Sequence, residues 1–384
     1  MKKVLATVLA LLMALALCSV SWAADTGVTC DGTNCDHAAE FNGKHYAHLV
    51  DAYAALTRGT APAKQEVITL LKNSAGGGIG ADADKNMNYV IDFAGHTYTV
   101  GAPAVGSVGT VSQGLRVMQT STATFKNGTL KAADYNQLKQ VVHTYGDVTL
   151  DNFTVDATED SYAQVAVEPD CGTLNIIGNS SILAREGQTG LYVAFWHTGT
   201  YDGTTVNVNT TGKITGKLVY EFDERKTGAE AATENKGVLN IGNGNFEIAE
   251  IETIFTESLA DELKVPKISV SGGTYTVDVS KYIATDKIVQ KDGNTYKVVA
   301  DGAITSGTYT SEPTVPSGYK ATKNDDGTWT VSKVSSYYYP STSDTTTSTT
   351  TKGSPKTFDA GIALYVGMAL TSVTGLAYTG KKKF

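Results

Sequence analysis

The stretch VTLDNFTV, from Val148 to Val155, alternates apolar residues with small polar ones and turns at Asn. Similar phrases recur at irregular spacing: FKNGTL (125–130), LNIIGNSSI (174–182), VNVNTTGKI (206–214), LNIGNGNF (239–246) and ISVSGGTY (268–275). A period of two is typical of strands with one buried face, and recurring phrases indicate stacked repeats. We therefore predict an all-β chain forming a solenoid of stacked short strands, with alternate side chains inside. A β-sandwich is the alternative.

Composition agrees with a β-rich exported protein. Of the 384 residues only 18% are charged, whereas the chain has 39 glycines and 20 tyrosines. The formal net charge is -8. An acidic chain disfavours nucleic acid and anionic lipid surfaces, because both require Lys and Arg to neutralise phosphate.

The phrases at the start of the folded region predict a capped first repeat. Asn42-Gly43 is the turn of a short hairpin, and Leu49 to Leu56 has helical spacing. ITLLKN (68–73) and IDFAGHTYTV (91–100) then predict strands. This order resembles the opening of pectin-lyase-like β-helix domains in surface proteins of gut Firmicutes, where a short helix caps the first coil. The resemblance implies that the solenoid is a right-handed parallel β-helix with an N-terminal helical cap. The resemblance covers about the first quarter of the chain.

The later part of the chain predicts two kinds of additions. Tyr220 to Lys236 is charged and Glu247 to Leu263 is acidic, so we expect both to project as loops or short helices. Asp292-Gly293 and Asp326-Gly327 lie between alternating segments and predict hairpin turns. Such a small β-hairpin region would cover the last coil and blunt its exposed edge.

Both ends of the chain predict export. Lys2 and Lys3 precede an apolar run, and small residues end it at Ala23, where we place signal cleavage. An uncleaved membrane helix is the alternative. At the other end, residues 360–380 are uncharged and mostly apolar, and three lysines follow. That arrangement predicts a membrane-spanning segment with its basic end inside the cell.

The residues before this span carry a second resemblance. Ser354, Pro355, Lys356 and Thr357, followed by the apolar span and the basic tail, resemble the LPxTG-like sorting signal of Gram-positive sortase substrates in a clostridial variant. The resemblance implies that sortase cuts after Thr357 and joins the chain to peptidoglycan. Phe358 stands where the family usually has Gly, Ala or Asn. A retained membrane anchor is therefore the alternative, and both place the protein extracellularly at the cell surface.

Together these features predict six segments. They are a signal peptide (1–23), a flexible N-terminal segment (24–38), a capped β-helix domain (39–284), a β-hairpin region (285–334), a disordered Ser/Thr-rich stalk (335–353) and a sorting signal (354–384).

A search for catalytic groups finds no set typical of β-helix polysaccharide enzymes, so we assign no catalytic residue. Arg116 and Arg185 are the available bases for a lyase, without an accompanying Asp constellation in sequence. His96 is interpreted as a structural turn residue. We predict no cofactor; a weak calcium site is the alternative at two acidic clusters, Glu159-Asp160 and Glu221 with Asp223 and Glu224.

Aromatic and cysteine residues provide the remaining candidates. Tyr192, Trp196 and Tyr201, with Phe195 between them, either stack on a sugar ligand or fill the core. Cys30 and Cys35 predict a short disulfide outside the cell. With His37 they also form half of a zinc pattern, but no second Cys pair follows, so we assign no metal site. Cys171 is left over.

Three functions agree with these features. The first is a non-catalytic adhesin or ligand-binding protein whose partner is a host or dietary glycan. The second is a polysaccharide lyase or glycoside hydrolase, which would need a cleft holding two carboxylates, or Asp with Arg. The third is a passive structural protein of the envelope, with neither clefts nor aromatic patches. Fold alone does not separate them.

Overall fold

The computed structural model describes residues 27–29, 35–60, 64–107, 109–198, 201, 203–224 and 231–334. Within these ranges the chain is nearly all β: it has 24 strands, one short α-helix and two 3₁₀ turns, Asp261–Leu263 and Ser280–Tyr282. The all-β prediction is confirmed. In the same ranges no helix has the length and apolar character needed to cross a membrane. The predicted signal peptide, stalk and sorting signal lie outside the described residues.

The first elements form an antiparallel hairpin and a helix. Strands β1 (Ala39–Phe41) and β2 (Lys44–Tyr46) pair antiparallel across Asn42-Gly43. Both turn residues have positive φ, 51° and 72°, which Asn and Gly tolerate best. Helix α1 (Leu49–Ala54) follows, so the predicted hairpin and helix are confirmed.

Helix α1 packs on the first strands through its apolar face. Leu49, Ala52 and Tyr53 are buried in the main hydrophobic core. The Tyr53 ring meets the Tyr89 ring edge-on, with centroids 5.6 Å apart. Covering this end removes apolar side chains from water, the largest favourable contribution to folding.

The strands that follow continue to Tyr275. They are β3 (Glu66–Leu70), β4 (Ser74–Gly76), β5 (Asn88–Asp92), β6 (Thr97–Val100), β7 (Val105–Ser107), β8 (Thr110–Val117), β9 (Thr122–Ala132), β10 (Gln140–Thr144), β11 (Asp147–Ala157), β12 (Val165–Pro169), β13 (Gly172–Gly178), β14 (Ser181–Ala184), β15 (Thr189–Trp196), β16 (Thr204–Asp223), β17 (Gly237–Phe255), β18 (Ile268–Val270) and β19 (Thr274–Tyr275).

Strand β7 pairs antiparallel with β8. The other strands pair in parallel in three ladders, which we call the first, second and third ladder. The first runs through β3, β5, β9, β11, β13, β16, β17 and β18. The second runs through β4, β6, β9, β11, β14, β16, β17 and β19. The third runs through β8, β10, β12, β15, β16 and β17. From β9 onward the chain visits the ladders in this order and then returns to the first.

Each ladder aligns apolar residues in a buried column. The column of the first ladder is at most 1% exposed along Ile68, Ile91, Phe125, Leu150, Ile176, Val208, Ile241 and Val270. Burial of apolar surface contributes roughly 25 cal/mol per Å², so such columns hold the ladders together. Alternate residues face away from the column because strand side chains point to opposite faces.

The outer face of the first ladder carries an amide stack. Asn207 donates a side-chain hydrogen bond of 3.0 Å to Asn175, and Asn240 donates one of 3.0 Å to Asn207. The three residues occupy aligned positions on β13, β16 and β17. The strand register therefore aligns asparagine with asparagine on the polar face, just as it aligns apolar residues in the core.

The expectation that Tyr220 to Lys236 and Glu247 to Leu263 project as loops or helices is wrong for residues 220–223 and 247–255, which are strand. Residues 231–236 and 256–260 have neither helix nor strand, and Asp261–Leu263 is a short 3₁₀ turn, as expected. Strand β16 continues to Asp223 and β17 to Phe255, and the two pair along their length in the third ladder. Their glutamates face outward, where Glu250 pairs with Lys217 at 2.6 Å. Pairing with a neighbouring strand therefore overrides the local helix preference of these charged residues.

The described part of the chain ends in antiparallel pairs, as the hairpin turns predict. The strands are β20 (Lys287–Asp292), β21 (Thr295–Ala300), β22 (Gly307–Tyr309), β23 (Tyr319–Lys323) and β24 (Trp329–Lys333). The pairs β20–β21 and β23–β24 are hairpins around the two Asp-Gly turns, which confirms both turns. Strand β21 pairs antiparallel with β19, so the parallel ladder ends there.

Candidate functional site

In the third ladder a basic residue, a histidine and an acidic residue occupy aligned positions on neighbouring strands, which we call the polar line. Arg116 on β8 aligns with His143 on β10, and His143 aligns with Glu168 on β12. The residues just before them, Leu115, Val142 and Val167, enter the core. Consecutive strand residues point to opposite faces, so the polar line lies on the outer face of the ladder.

This line is nevertheless buried. Arg116, His143 and Glu168 are only 4%, 3% and 6% exposed, and Asp170, just after β12, is fully buried. We call His143, Glu168 and Asp170 the acid–base cluster. One ligand-type atom from each lies within 4.8 Å of those of the other two. Charged groups are almost never fully buried without a partner, so this cluster requires a physical account.

His143 is held on both sides of its ring. Its Nε2 lies 2.5 Å from a carboxylate oxygen of Asp170, and its Nδ1 lies 2.6 Å from the amide nitrogen of Gln113. With the Gln113 amide as donor, Nδ1 accepts, and Nε2 donates its proton to Asp170. Desolvation lowers the pKa of His143 to about 4, although Glu168 opposes the shift. The His143–Asp170 contact at neutral pH is therefore a hydrogen bond from a neutral ring.

The pKa of Glu168 is shifted in the opposite direction, upward. Burial raises its pKa to about 7, and the neighbouring charge of Asp170 adds to the effect. A carboxyl with this pKa exchanges protons near neutral pH, which is the property that acid–base chemistry uses.

Arg116 supplies the nearest positive charge. Its Nη1 donates to Asp82 at 2.6 Å, and its Nη2 donates to the Ser107 hydroxyl at 3.0 Å. The guanidinium carbon also lies 5.4 Å from the centre of the Tyr145 ring. Its Nε has no hydrogen-bond partner within the described part of the chain.

Aromatic rings cover the cluster. The Tyr145 ring lies 4.7 Å from His143 and is stacked on Tyr201 at 5.1 Å. Trp196 meets His143 edge-on at 6.3 Å, and its indole N–H donates to Glu221 at 3.0 Å. The three rings thus separate the acid–base cluster from solvent.

A cleft of about 350 Å³ is lined in part by Tyr145. Its lining consists of Gln119, Thr120, Tyr145, Gly146, Asp147, Cys171 and Gly172. Cys171 packs with Tyr145 and Met118, and Tyr201 borders that group. The volume falls in the range of small-molecule pockets, which begins at about 300 Å³. We call this the Tyr145 cleft.

A larger cleft of about 430 Å³ lies elsewhere, among the C-terminal hairpins. It is lined by Thr274, Gln290, Lys291, Asp292, Thr295, Lys297, Ser306, Gly307 and Thr308. This lining has neither an aromatic ring wall nor a buried titratable group. We therefore place the candidate site at the Tyr145 cleft despite its smaller volume.

The predicted aromatic candidates divide between this site and the core. Trp196 and Tyr201 border the acid–base cluster and are half-buried. Tyr192 is also half-buried; burial and then the charge of Glu221 raise the pKa of its hydroxyl, and Glu168 contributes. Phe195 is fully buried and stacks on Phe222 at 4.9 Å, so it serves the core.

The two predicted basic residues lie in different parts of the structure. Arg116 belongs to the site, whereas Arg185 donates to the carbonyl of Ser161 on an exposed loop. His96 lies in the turn between β5 and β6, as interpreted from the sequence.

The two predicted acidic clusters have local partners. Glu159 pairs with Lys131 at 2.7 Å, and Asp160 accepts a 2.7 Å bond from the backbone N–H of Tyr162. Asp223 accepts from Thr256 and Glu224 accepts from the backbone of Ala232. The Oδ2 atom of Asp160, by contrast, is buried without a hydrogen-bond partner among the described residues, and burial raises the pKa of this carboxyl.

The predicted residues at the termini, Ala23, Cys30, Ser354, Pro355, Lys356 and Thr357, lie outside the described residues. Cys35 is described: its Sγ approaches the rings of His37 and His45.

Sequence reasoning missed His143, Glu168, Asp170 and Gln113. For His143 and Glu168 the signal is a polar residue directly after an apolar core residue on successive strands. The repeats vary in length, however, so the sequence does not show which positions align.

No protein-family model matches the chain, and no curated protein or solved structure matches it significantly.

Proposed function

We propose that this chain is an exported surface protein whose right-handed parallel β-helix binds a glycan at the Tyr145 cleft. The parallel ladders and their repeated order support the β-helix, because each passage through the three ladders has the length of one solenoid repeat. Crossovers between parallel strands are right-handed in nearly all proteins, which supports the hand.

The observation that carries the binding proposal is the stacked pair of Tyr145 and Tyr201 beside the cleft. Sugar rings present apolar C–H faces that pack on aromatic rings, and polar groups at the edge fix their orientation. Asp147 and Thr120 line the same cleft and offer those polar groups. A passive envelope protein would need neither the cleft nor the aromatic pair.

The acid–base cluster supports the second candidate, cleavage of a polysaccharide. Glu168, with its pKa near 7, could transfer protons, and Arg116 is near enough to stabilise a negative charge. The position of the cluster beneath the aromatic rings favours binding instead. Its carboxylate oxygens lie within 4.8 Å of each other, which is too close for an inverting hydrolase (roughly 6.5–9.5 Å) and near the roughly 5–5.5 Å of a retaining one.

The location remains the one expected from the sequence. We propose a signal peptide ending at Ala23 and anchoring by sortase to peptidoglycan through Ser354 to Thr357. Fractionation of the native cells with muramidase, followed by intact mass, tests this. A C-terminus at Thr357 carrying a peptidoglycan fragment supports it. A full-length tail released only by detergent supports a retained membrane anchor.

A glycan array with the full chain tests the binding proposal. Tyr201→Ala should weaken binding of any recognised glycan by about tenfold, because it removes half of the stacked pair. Tyr162→Ala is the matched control, since Tyr162 is an exposed tyrosine that packs on Lys139 away from the cleft. Equal loss in both variants, or no glycan bound, would contradict the proposal.

The same preparations separate binding from cleavage. Each recognised glycan is incubated with the wild-type chain and analysed for new reducing or unsaturated ends. Binding without products supports the first function. Products that disappear in Glu168→Gln would make the protein an enzyme.

A further inference from the structure

A second group of reactive side chains lies at the N-terminal end of the fold, beside the first hairpin. The sulfur of Cys35 lies 2.8 Å from Nδ1 of His37 and 2.7 Å from Nδ1 of His45. The two imidazole rings are inclined at 67°, with centroids 6.3 Å apart. We call Cys35, His37 and His45 the thiol–imidazole cluster. Its three donor atoms all lie within 4.8 Å of one another.

Secondary structure fixes one half of this cluster. His45 is the middle residue of β2, where its neighbour across the hairpin is Glu40 on β1. Its backbone also pairs with Val28, through bonds of 2.9 Å and 2.7 Å. The ring of His45 is thus presented from a strand that is bonded on both edges.

The other half comes from the segment just before β1. Asp36 forms an ion pair with Lys72, and the ammonium of Lys72 also donates to the Asp36 carbonyl oxygen at 2.6 Å. These bonds hold the backbone between Cys35 and His37. Both side chains are then directed to the same side as His45.

We propose that Cys35, His37 and His45 bind a zinc ion. One thiolate and two imidazoles form a donor set that suits Zn²⁺, which coordinates Cys sulfur and His nitrogen tetrahedrally. All three side chains are half-buried, so an ion can enter from solvent. Binding releases the thiol proton of Cys35 to solvent, and the fourth position of the ion is left to water or another donor.

The distances permit this with a small adjustment. Tetrahedral bonds of the usual length place a sulfur and a nitrogen ligand roughly 3.5 Å apart. The S–N distances here are 2.7 Å and 2.8 Å, so the three side chains move apart by less than about 1 Å when the ion enters. Rotation of the side chains supplies that movement without a change in the strands.

The ion would fasten residues 35–37 to β2 at the start of the fold. This role is independent of the glycan proposal, because the thiol–imidazole cluster contains none of the residues of the Tyr145 cleft.

Cobalt substitution tests the site. The full chain is reduced, stripped of metal and titrated with Co²⁺, which absorbs in the near ultraviolet when a thiolate binds it. We expect this absorption in the wild type and its displacement by Zn²⁺. Cys35→Ser should abolish it, and His45→Gln should weaken binding by about 100-fold. Cys171→Ser and His48→Gln are the matched controls and should bind as the wild type does.

Three results would overturn the proposal. One is the absence of thiolate absorption in a wild-type chain that is folded by circular dichroism. Another is equal binding by the wild type and His45→Gln, a variant that retains the thiol. The last is an intact mass showing a Cys30–Cys35 disulfide in protein purified from zinc-supplied cells, because a disulfide has no thiolate to bind the ion.

Discussion

The acid–base cluster and the thiol–imidazole cluster both place histidines next to acidic or soft donors, but they differ in burial and in origin. The first draws on strands β10 and β12 and is at most 6% exposed. The second draws on residues within ten positions of one another and is half-buried. Burial has shifted the pKa values of His143 and Glu168 in opposite directions. Residues from distant strands thus form a buried cluster with shifted pKa values. Residues close together in the chain instead form a solvent-accessible group of possible metal ligands.

The largest expected difference concerns stability at neutral pH. His143→Ala removes the donor to Asp170 and leaves a fully buried carboxylate without that hydrogen bond, which should cost roughly 3 kcal/mol of unfolding free energy. His37→Ala in metal-free protein should cost less than about 0.5 kcal/mol, because its ring is half-buried. Denaturant titration of both variants measures this. Equal losses would contradict the difference in burial.

Zinc should act only on the thiol–imidazole cluster. At 100 times its dissociation constant, a ligand that binds only the folded state adds about 2.7 kcal/mol to the unfolding free energy. We expect this gain for the wild type and for Glu168→Gln, and none for Cys35→Ser. Thermal unfolding with and without Zn²⁺ measures it. A zinc effect that vanishes in Glu168→Gln would instead place the ion at the acid–base cluster.

The pH dependence of stability should distinguish the two members of the acid–base cluster. The pKa of His143 is lowered from 6.5 to about 4, so the unfolded state binds more protons there and stability falls as pH drops through this window. The pKa of Glu168 is raised from 4.5 to about 7, so the folded state binds more protons and stability falls as pH rises through that window. In the wild type the two effects oppose each other between about pH 4.5 and 6.5.

Variants separate these effects. Glu168→Gln should become more stable as pH rises from 4.5 to 6.5, and His143→Asn should become less stable over the same range. The differences should be on the order of 1–3 kcal/mol, measured by denaturation at several pH values. A slope of the same sign in both variants would contradict the assigned shifts.

The smallest expected effect is a coupling within the acid–base cluster. Asp170→Asn removes the charge that is the second cause of the raised pKa of Glu168, after burial. The pKa of Glu168 should fall by about one unit, which corresponds to about 1.4 kcal/mol. Carbon NMR of the Glu168 carboxyl measures it, with Asp147→Asn as a control at the cleft. An unchanged pKa would mean that burial alone sets the shift.

Much of the strand content followed from local pattern. VTLDNFTV lies within β11 and LNIIGNSSI spans β13 and β14, because alternation itself creates a two-faced strand. The Asn42-Gly43, Asp292-Gly293 and Asp326-Gly327 turns were also predictable, since these residues tolerate the required backbone. Glu247 to Phe255 was predicted wrongly, because its helix preference is local and its pairing with β16 is not.

The candidate site was predictable only in part. Tyr192, Trp196 and Tyr201 stand close together in the chain, so they could be named as a group. His143 and Glu168, which lie near these rings, come from two other repeats and are 25 residues apart in the chain. The number of residues between aligned positions changes from one repeat to the next, so only the strand register of the folded chain shows that these two residues meet.

The sequence alone determined the alternation that makes the chain all-β, the turns that bend it, and the signals at its ends that predict export. Those features depend on neighbours in the chain. Only the tertiary structure decided that Arg116, His143 and Glu168 share one line, and that His45 meets Cys35. Such meetings depend on strand register, which the whole set of buried columns selects together because a shift of one residue would turn every core side chain outward.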